Sequence, residues 1–288
     1  MFGQDESHRS ISKQANDSSK SEIRFHSSAF YSYGGYSTMT ISKSANAFLT
    51  LEHRKKNFFT VGYHWLSFSR DDLGKDYFTE YAFFGKGTSW LGSRINASVF
   101  YAYNHQSAIE NYTNQFVFHA FGASGNYWFN SDAAVGISYS GAIQITESNT
   151  QGSQGNNPKN TTKNSDYAVN NYSGHLSYNF GLGVWATTSA IVSDSRWAGQ
   201  FFFVRENVAV SLGKYTRLNA SVGFGRRTFY FDEDLLLLYN QPEVQTSGFL
   251  VGGTIGLSKN FSIAPSFEYD VFDSYNITYG SIGFRFTF

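Results

Sequence analysis

The sequence contains no cysteine and only 3 prolines, and its 22 Lys and Arg residues balance its 22 Asp and Glu residues. Without cysteine there is no disulfide framework, no thiolate metal ligand and no cysteine nucleophile. A formal net charge of zero argues against a nucleic-acid-binding protein, because such proteins need a basic field. No run of about eighteen apolar residues is present, which excludes a transmembrane helix. The combination of 15% charged and 19% aromatic residues excludes a largely disordered chain.

What the chain does have is an alternation of apolar and polar residues with a period of two. The stretch from Ala134 to Thr146 reads AVGISYSGAIQIT, and its large apolar residues share one face. The stretch from Phe261 to Phe272, FSIAPSFEYDVF, alternates in the same way. The 29 Phe and 20 Tyr residues suit such strands, because aromatic side chains pack well on pleated surfaces. This pattern predicts an all-β protein.

The strands are long and their connections alternate in length. There are about fourteen of them, within a range of roughly 12–16, each of roughly 10–14 residues, whereas strands of soluble proteins mostly have about 5–6. Tight turns such as Lys214–Tyr215 alternate with longer polar loops such as 149–166, and one further turn is expected near Ser89–Trp90. Membrane barrels combine short periplasmic turns with longer outer loops, and their strands must close because lipid leaves no backbone group unpaired. The sequence therefore predicts a single antiparallel up-and-down transmembrane β-barrel.

The same pattern predicts the organisation of the chain. The barrel domain is expected to comprise residues 22–288, and the polar, serine-containing residues 1–21 are expected to be a flexible periplasmic segment. An even number of strands puts both termini on the periplasmic side of a bacterial outer membrane. The outward face would then contact outer-membrane lipid.

The last strand carries a resemblance. The chain ends in the sequence IGFRFTF, from Ile282 to Phe288, with alternating aromatic residues and a C-terminal phenylalanine. This strand resembles the closing strand of bacterial outer-membrane β-barrel proteins, and in size the chain is most similar to the monomeric fourteen-stranded porins. The resemblance implies that Phe286 and Phe288 form an assembly signal read by the barrel-assembly machinery.

With the large apolar residues facing lipid, alternation predicts an inward face of mixed acids, bases and amides. The expected lumen-lining residues are His64, Glu80, Arg94, Asn96, His175, Arg205, Arg227, Glu268, Asp270 and Arg285. A barrel of this size is wider than the eight-stranded barrels that side chains fill. The expected function is a porin or channel for passive passage of small polar solutes, or a channel component of an export system. A closed structural or assembly barrel is the alternative. No cofactor and no metal site is expected, because the 7 His residues are scattered along the chain.

An enzymatic alternative rests on the stretch from Tyr103 to Ser107, which reads YNHQS. It is similar to the stretch around the active site of outer-membrane phospholipase A, and it implies a lipid-modifying enzyme in which His105 is the base for Ser107. A His two residues before a Ser on a strand shares its face and can activate its hydroxyl. Ala108 and Ile109 stand where that family has Asn-Gly, and the chain is predicted not to be an enzyme.

Two features do not fit a simple barrel. The loop from Asp234 to Tyr239 contains four consecutive leucines, which could extend the strands, plug the lumen or bind a protein partner. Glu206 falls on the lipid-facing side of its strand, and a bulge at Arg205–Asn207 would redirect it.

Overall fold

The computed structural model describes residues 23–70, 75–108, 114–150, 160–228, 231–232, 237–238 and 243–288. Within these residues all regular structure is β-strand. The strands are β1 (Ile23–Tyr36), β2 (Thr40–His53), β3 (Asn57–Arg70), β4 (Lys75–Leu91), β5 (Ile95–Ala108), β6 (Asn114–Trp128), β7 (Ala133–Thr150), β8 (Asn160–Gly181), β9 (Val184–Ser195), β10 (Gly199–Leu212), β11 (Thr216–Thr228), β12 (Phe231–Asp232), β13 (Leu237–Leu238), β14 (Val244–Gly256), β15 (Phe261–Phe272) and β16 (Asn276–Thr287). None of the described residues forms a helix long and apolar enough to cross a membrane.

Fourteen of the strands form one closed antiparallel barrel, in which strands consecutive along the chain are paired and β11 pairs with β14 across the segment that contains β12 and β13. Pairing of β1 with β16 closes the barrel, and the Phe288 N–H donates a hydrogen bond of 2.8 Å to the Phe25 carbonyl at this seam. Closure removes both sheet edges, so every strand of the barrel has two hydrogen-bonded neighbours. The predicted fold class is confirmed.

The two faces of the barrel wall follow the alternation in the sequence. On β5, Val99 and Tyr101 are exposed on the outside, whereas Phe100 and Ala102 between them are buried on the inside. On β7, Ile137 is 71% exposed and outward. Large apolar side chains are exposed on the outward face of the described strands, as is typical of barrels whose outer face contacts lipid.

The two ends of the barrel differ in their connections. At one end, called the short-turn end, the strands are joined by residues 54–56, 92–94, 129–132, 182–183, 213–215 and 257–260. At the other, the long-loop end, the connections include 71–74, 109–113, 151–159 and 229–243, together with three short ones at 37–39, 196–198 and 273–275. Ile23 and Phe288 lie at the short-turn end, because β1 begins there and β16 ends there.

The prediction of a turn near Ser89–Trp90 is wrong by a few residues. Both residues belong to β4, which continues until Leu91 pairs with Ile95. The chain reverses at 92–94 because Gly92, with a φ of 74°, supplies the left-handed backbone that a tight turn needs.

Two expected features lie wholly or partly outside the described residues. The segment 1–21 is one, and its periplasmic location stays a prediction. Of the loop Asp234–Tyr239, the structure describes only the backbone of Leu237 and Leu238, which form β13. β13 pairs with β12 in a separate two-stranded sheet and does not extend the ladder of β11 or β14.

Glu206 faces outward at the middle of β10. The pairing of β10 with β9 and β11 is continuous through residues 205–207, so the expected bulge is not there. The register shifts instead between Phe224 and Arg227 on β11, and between Gln245 and Ser247 on β14. Glu206 therefore shares the outward face of β10 with exposed apolar residues such as Phe202 and Val208.

Replacing Glu206 with valine is expected to increase the free energy of unfolding in lipid vesicles, because an acidic side chain is costly on this face. The gain should be smaller than the cost of about 2–4 kcal/mol that Lys or Arg has at the bilayer midplane. Urea titration followed by tryptophan fluorescence measures it. Thr188→Val is the matched control, because Thr188 pairs with Glu206 and is outward but uncharged. A destabilised Glu206→Val variant would contradict the placement in lipid.

Candidate functional site: the inner wall of the barrel

The inner wall carries nearly all of the residues expected to line a lumen. The residues that lie on its inward face within strands are His64, Glu80, Asn96, His175, Arg205, Arg227, Glu268, Asp270 and Arg285. Several are almost inaccessible to solvent: Glu80 has no exposed area and Asp270 has 2%. Buried charges of this kind need hydrogen-bond partners, and the structure supplies them.

Arg94 is the exception, because it belongs to the turn at 92–94 and not to a strand. Its side chain is exposed, and Nη1 donates a hydrogen bond of 3.4 Å to the hydroxyl of the outward-facing Tyr127. The prediction that Arg94 lines the lumen is wrong, because β4 continues past Ser89–Trp90 to Leu91 and the turn therefore includes Arg94.

One polar network links β11, β14 and β15. Arg227 Nε donates to Gln245 Oε1 at 2.6 Å, and Gln245 Nε2 donates to Asp270 Oδ1 at 2.6 Å. The Arg227 guanidinium also lies 4.5 Å from the centre of the Phe203 ring. These side chains and that of Glu268 line a cavity of about 10 Å³, which is about the room that one water molecule needs. Such a network fixes the wall at its two register shifts, as structural ion networks do.

A second polar network links β4 and β5. Asn104 Nδ2 donates to Glu80 Oε1, and Gln106 Nε2 donates to Glu80 Oε2 at 3.3 Å. On the neighbouring strands, His64 Nδ1 is hydrogen-bonded to Asn46 Oδ1. All five residues are buried and face the interior.

Two more of the expected residues also contact the inner wall. His175 Nε2 is hydrogen-bonded to Asn126 Oδ1 at 2.6 Å, above Gly136. The Arg285 guanidinium lies 5.7 Å from the centre of the Phe30 ring. Within the described residues, no group of three His, Asp or Glu could hold a metal ion.

The inner wall also has a contiguous apolar cluster that was not anticipated. Eight buried or half-buried residues on β4 to β8 form one contiguous cluster, called here the inner apolar patch: Ala82, Phe84, Phe100, Ala102, Phe118, Ala120, Ala142 and Val169. The polar residues Asn96 and Asn104, which share a face of β5 with Phe100 and Ala102, were the indication in the sequence that this face points inward. Its seven buried members have between 1% and 7% of their surface exposed, and Phe84 is partly buried against them.

Aromatic residues also line the interior at both ends. At the long-loop end, a mouth cluster packs around Tyr36 and is made of Tyr36, Phe68, Phe78, Phe272, Tyr275, Ile277 and Tyr279. The hydroxyls of Tyr36 and Tyr279 are hydrogen-bonded at 2.9 Å. Burial raises the pKa of Tyr275, in the loop at 273–275, above its ordinary value, so this phenol is protonated at neutral pH.

At the short-turn end, three tryptophans on β4, β6 and β9 form an inward row. Trp128 lies 6.4 Å from Trp90 and 5.8 Å from Trp185, measured between ring centres. Trp128 follows the inward alternation of β6, whereas its neighbour Tyr127 is outward and exposed. The interior is thus aromatic at both ends and along one side.

Known structures match the fold of this protein, but no family model and no curated protein matches its sequence. CymD, named as a monoaromatic hydrocarbon channel, matches with a TM-score of 0.57 and 7% identity over 94% of this chain and 89% of that one. The Pseudomonas putida toluene transporter TodX matches with a TM-score of 0.50 and 9% identity over 93% and 89%. A Pseudomonas aeruginosa FadL homologue matches with a TM-score of 0.53 and 7% identity over 92% and 89%.

The fold is that of a bacterial outer-membrane β-barrel. The likeness covers nearly the whole chain, and the similar structures include a channel and a transporter by name. It does not extend to particular side chains, since the identities are so low.

The enzymatic alternative concerns the outward face of the barrel. His105 is half-buried and shares the outward face with Tyr101 and Tyr103. It pairs with Tyr81 on β4 and Val117 on β6, while Ser107 pairs with Thr79. The side chain of Ser107 lies outside the described residues. CymD and TodX are named as a channel and a transporter, and lipid hydrolysis by this pair stays an untested alternative.

Proposed function

We infer that the protein is a passive channel of the bacterial outer membrane for small molecules that have an apolar part. The observation that carries this inference is the inner apolar patch on β4 to β8. A wall that faced only water and polar solutes would have no reason to carry a contiguous cluster of alanine and phenylalanine, since outer-membrane barrels place apolar residues on the lipid face.

The aromatic residues at the two ends support the same function. The mouth cluster at the long-loop end, the inner apolar patch and the tryptophan row at the short-turn end follow one another along the interior. A molecule with an apolar part would meet favourable surface at each level, and binding sites for small molecules are mostly apolar with a few placed polar groups. CymD and TodX are named as a monoaromatic hydrocarbon channel and a toluene transporter, and small aromatic solutes are the class that we propose here.

The proposed orientation follows from the connections. Short turns are periplasmic in outer-membrane barrels, which would put Ile23 and Phe288 in the periplasm and the long loops outside the cell. Membrane lipid, the barrel-assembly machinery and a protein partner at Asp234–Tyr239 remain proposed partners.

The test is uptake of a radiolabelled monoaromatic hydrocarbon by Gram-negative cells whose outer membrane contains the protein. Ala102→Asp puts a carboxylate on the inner apolar patch, at a residue that is 2% exposed. Because an unpaired carboxylate disfavours an apolar solute beside it, we expect at least roughly tenfold slower protein-dependent uptake. Ala264→Asp is the matched control, since Ala264 is also inward and buried but lies on β15, outside the patch.

Both variants must first show heat-modifiable gel migration, which reports a folded barrel. Hydrocarbon uptake that is equal in the wild type and in a folded Ala102→Asp variant would contradict the proposed solute class. A wild type that passes no solute and shows no single-channel conductance would favour the closed structural barrel. Release of fatty acid from phospholipid that disappears in His105→Ala would favour the enzyme.

A further inference from the structure

The turns at the short-turn end carry a strong excess of positive charge. Within the described residues these six turns contain six bases and only one acid, Asp132. The bases, called here the basic arc, are Arg54, Lys55, Lys56, Arg94, Lys214 and Lys259, and all except the half-buried Lys55 are exposed. Because the chain as a whole has no net charge, its other residues carry a matching excess of acid.

The basic arc occupies a continuous part of the barrel rim. Its four turns join β2 to β3, β4 to β5, β10 to β11 and β14 to β15, and the closed strand order places β16 and β1 between the last of these turns and the first. The two turns without a base, 129–132 and 182–183, are next to each other and join β6 to β7 and β8 to β9. Leu182, in the second of them, is 99% exposed. The positive charge is therefore confined to one side of the rim.

The basic arc lies at the level where the outward apolar surface of the barrel ends. Arg94 Nη1 donates to the hydroxyl of Tyr127, which is outward and 38% exposed. Lys214 Nζ lies 5.0 Å from the centre of the Tyr215 ring, and Tyr215 is 45% exposed. In outer-membrane barrels, outward aromatic residues at strand ends lie at the headgroup level of the bilayer. Bases in contact with such rings are therefore at the height of the lipid phosphates.

The backbone at Arg54 and Lys55 holds these two bases at a cost in stability. Their φ angles are 55° and 54°, in the left-handed region that glycine and asparagine adopt more easily than other residues. The turn is closed by the Lys56 N–H, which donates to the His53 carbonyl at 3.2 Å. Stability alone would favour Asn-Gly where two successive residues have positive φ. Strained residues point to a functional constraint, and what these two share is positive charge.

We propose that the basic arc binds the headgroups of anionic phospholipids in the leaflet around the short-turn end. Lys and Arg at a membrane surface attract anionic lipid, and clusters of them act together. In the orientation proposed above this is the periplasmic leaflet. The assignment needs only a barrel that crosses a bilayer, and it does not rest on the passage of any solute.

The first experiment measures the lipid composition at two points of the rim. Because the chain has no cysteine, Ser258→Cys places a single fluorophore in the turn that contains Lys259, and Ser131→Cys places one on the opposite side of the barrel. Both serines are exposed turn residues at the same end. The full chain is reconstituted in phosphatidylcholine vesicles that contain a little nitroxide-labelled phosphatidylglycerol or nitroxide-labelled phosphatidylcholine, and quenching by each labelled lipid is measured.

At position 258 we expect the labelled phosphatidylglycerol to associate roughly two- to fivefold more strongly than the labelled phosphatidylcholine, and at position 131 equally. Raising the salt from about 0.1 M to about 1 M shortens the screening length from about 10 Å to about 3 Å and should abolish the difference. Lys214→Gln combined with Lys259→Gln should abolish it as well. Lys43→Gln combined with Arg70→Gln is the matched control, because it removes two exposed bases that lie toward the long-loop end.

The second experiment uses the strained turn. Arg54→Asn combined with Lys55→Gly relieves the left-handed backbone and removes two bases. In phosphatidylcholine vesicles the midpoint of urea unfolding should therefore rise. Phosphatidylglycerol should raise the midpoint of the wild type further, since a ligand of the folded state stabilises it, and this second rise should be smaller in the variant. A rise with phosphatidylglycerol that is as large in the variant as in the wild type would contradict a role of these two bases in lipid binding.

The remaining outcomes decide whether the basic arc is the lipid site. Equal quenching by the two lipids at position 258 would overturn the proposal and would favour an acidic protein as the partner of the arc. A preference for phosphatidylglycerol that is as large at position 131, or that persists in a folded variant with Lys214→Gln and Lys259→Gln, would overturn the assignment to the arc. Heat-modifiable migration reports folding, and the two labelled chains decide the matter where further variants do not fold. None of these measurements involves solute uptake, so the channel function is tested separately.

Discussion

Replacing Gly283 with valine is expected to destabilise the barrel strongly, because the ring of Phe30 lies directly over this glycine. A Cβ atom at position 283 would collide with that ring, and Gly283 pairs with Phe30 across the seam that closes the barrel. Overpacking of this kind costs about 1–3 kcal/mol, and here it strains the contact between the first and the last strand. The midpoint of urea unfolding in lipid vesicles measures the loss.

The control for this prediction lies on the same strand. Gly280 faces outward, and a Cβ atom there would meet nothing within 4 Å. Gly280→Val should be neutral or stabilising by up to about 1 kcal/mol, since valine favours strands. In a Phe30→Leu background, Gly283→Val should cost less than in the wild type, because the shorter side chain leaves room for the added methyl groups. Equal costs in both backgrounds would show that the ring is not the obstacle.

Phe30 and Gly283 are one case of a repeated arrangement on the inner wall. The rings of Phe48, Phe100 and Phe203 lie in the same way over glycines on a neighbouring strand, namely Gly62, Gly122 and Gly223. A ring that covers a glycine lies flat against the wall and does not project across the interior. The glycines therefore decide how much of the lumen the inward aromatics occupy.

The barrel itself could be predicted from the sequence because its physical cause is local. The alternation of apolar and polar residues can be recognised in each strand separately, because the outward positions of a membrane barrel are apolar. Most inward charged residues follow from the same parity, as the positions of Glu80 and Asp270 show. Arg94 was misplaced because only the register shows that β4 continues to Leu91, and strand ends are the least reliable feature of such a reading.

The inner apolar patch could have been found on β5. Asn96 and Asn104 mark its inward face, and the same parity carries Phe100 and Ala102 inward. The polarity of the other strands favoured an entirely polar lumen, and aromatic residues on both faces of β5 hid the difference.

Replacing the C-terminal Phe288 with alanine is expected to lower the amount of protein in the outer membrane of cells but to leave the stability of the folded protein nearly unchanged. The Phe288 side chain is 74% exposed, while its backbone N–H holds the seam through Phe25. Phe288→Ala keeps that hydrogen bond and removes little buried area, so refolding into detergent micelles should be nearly unchanged. If the assembly machinery reads this side chain, the amount of protein in the outer membrane should fall severalfold.

Phe284→Ala separates recognition from packing, because Phe284 lies on the same strand and the same outward face. It is 41% exposed and its ring is parallel to that of Phe261, with 6.3 Å between ring centres. Its loss removes packing between β15 and β16 and should weaken refolding in micelles and accumulation in cells alike. Immunoblots of outer-membrane fractions, set beside heat-modifiable migration of refolded protein, compare the two settings. If Phe288→Ala lowers the refolding yield and the amount in the outer membrane equally, the Phe288 side chain acts through packing alone. If it lowers neither, that side chain is not an assembly signal.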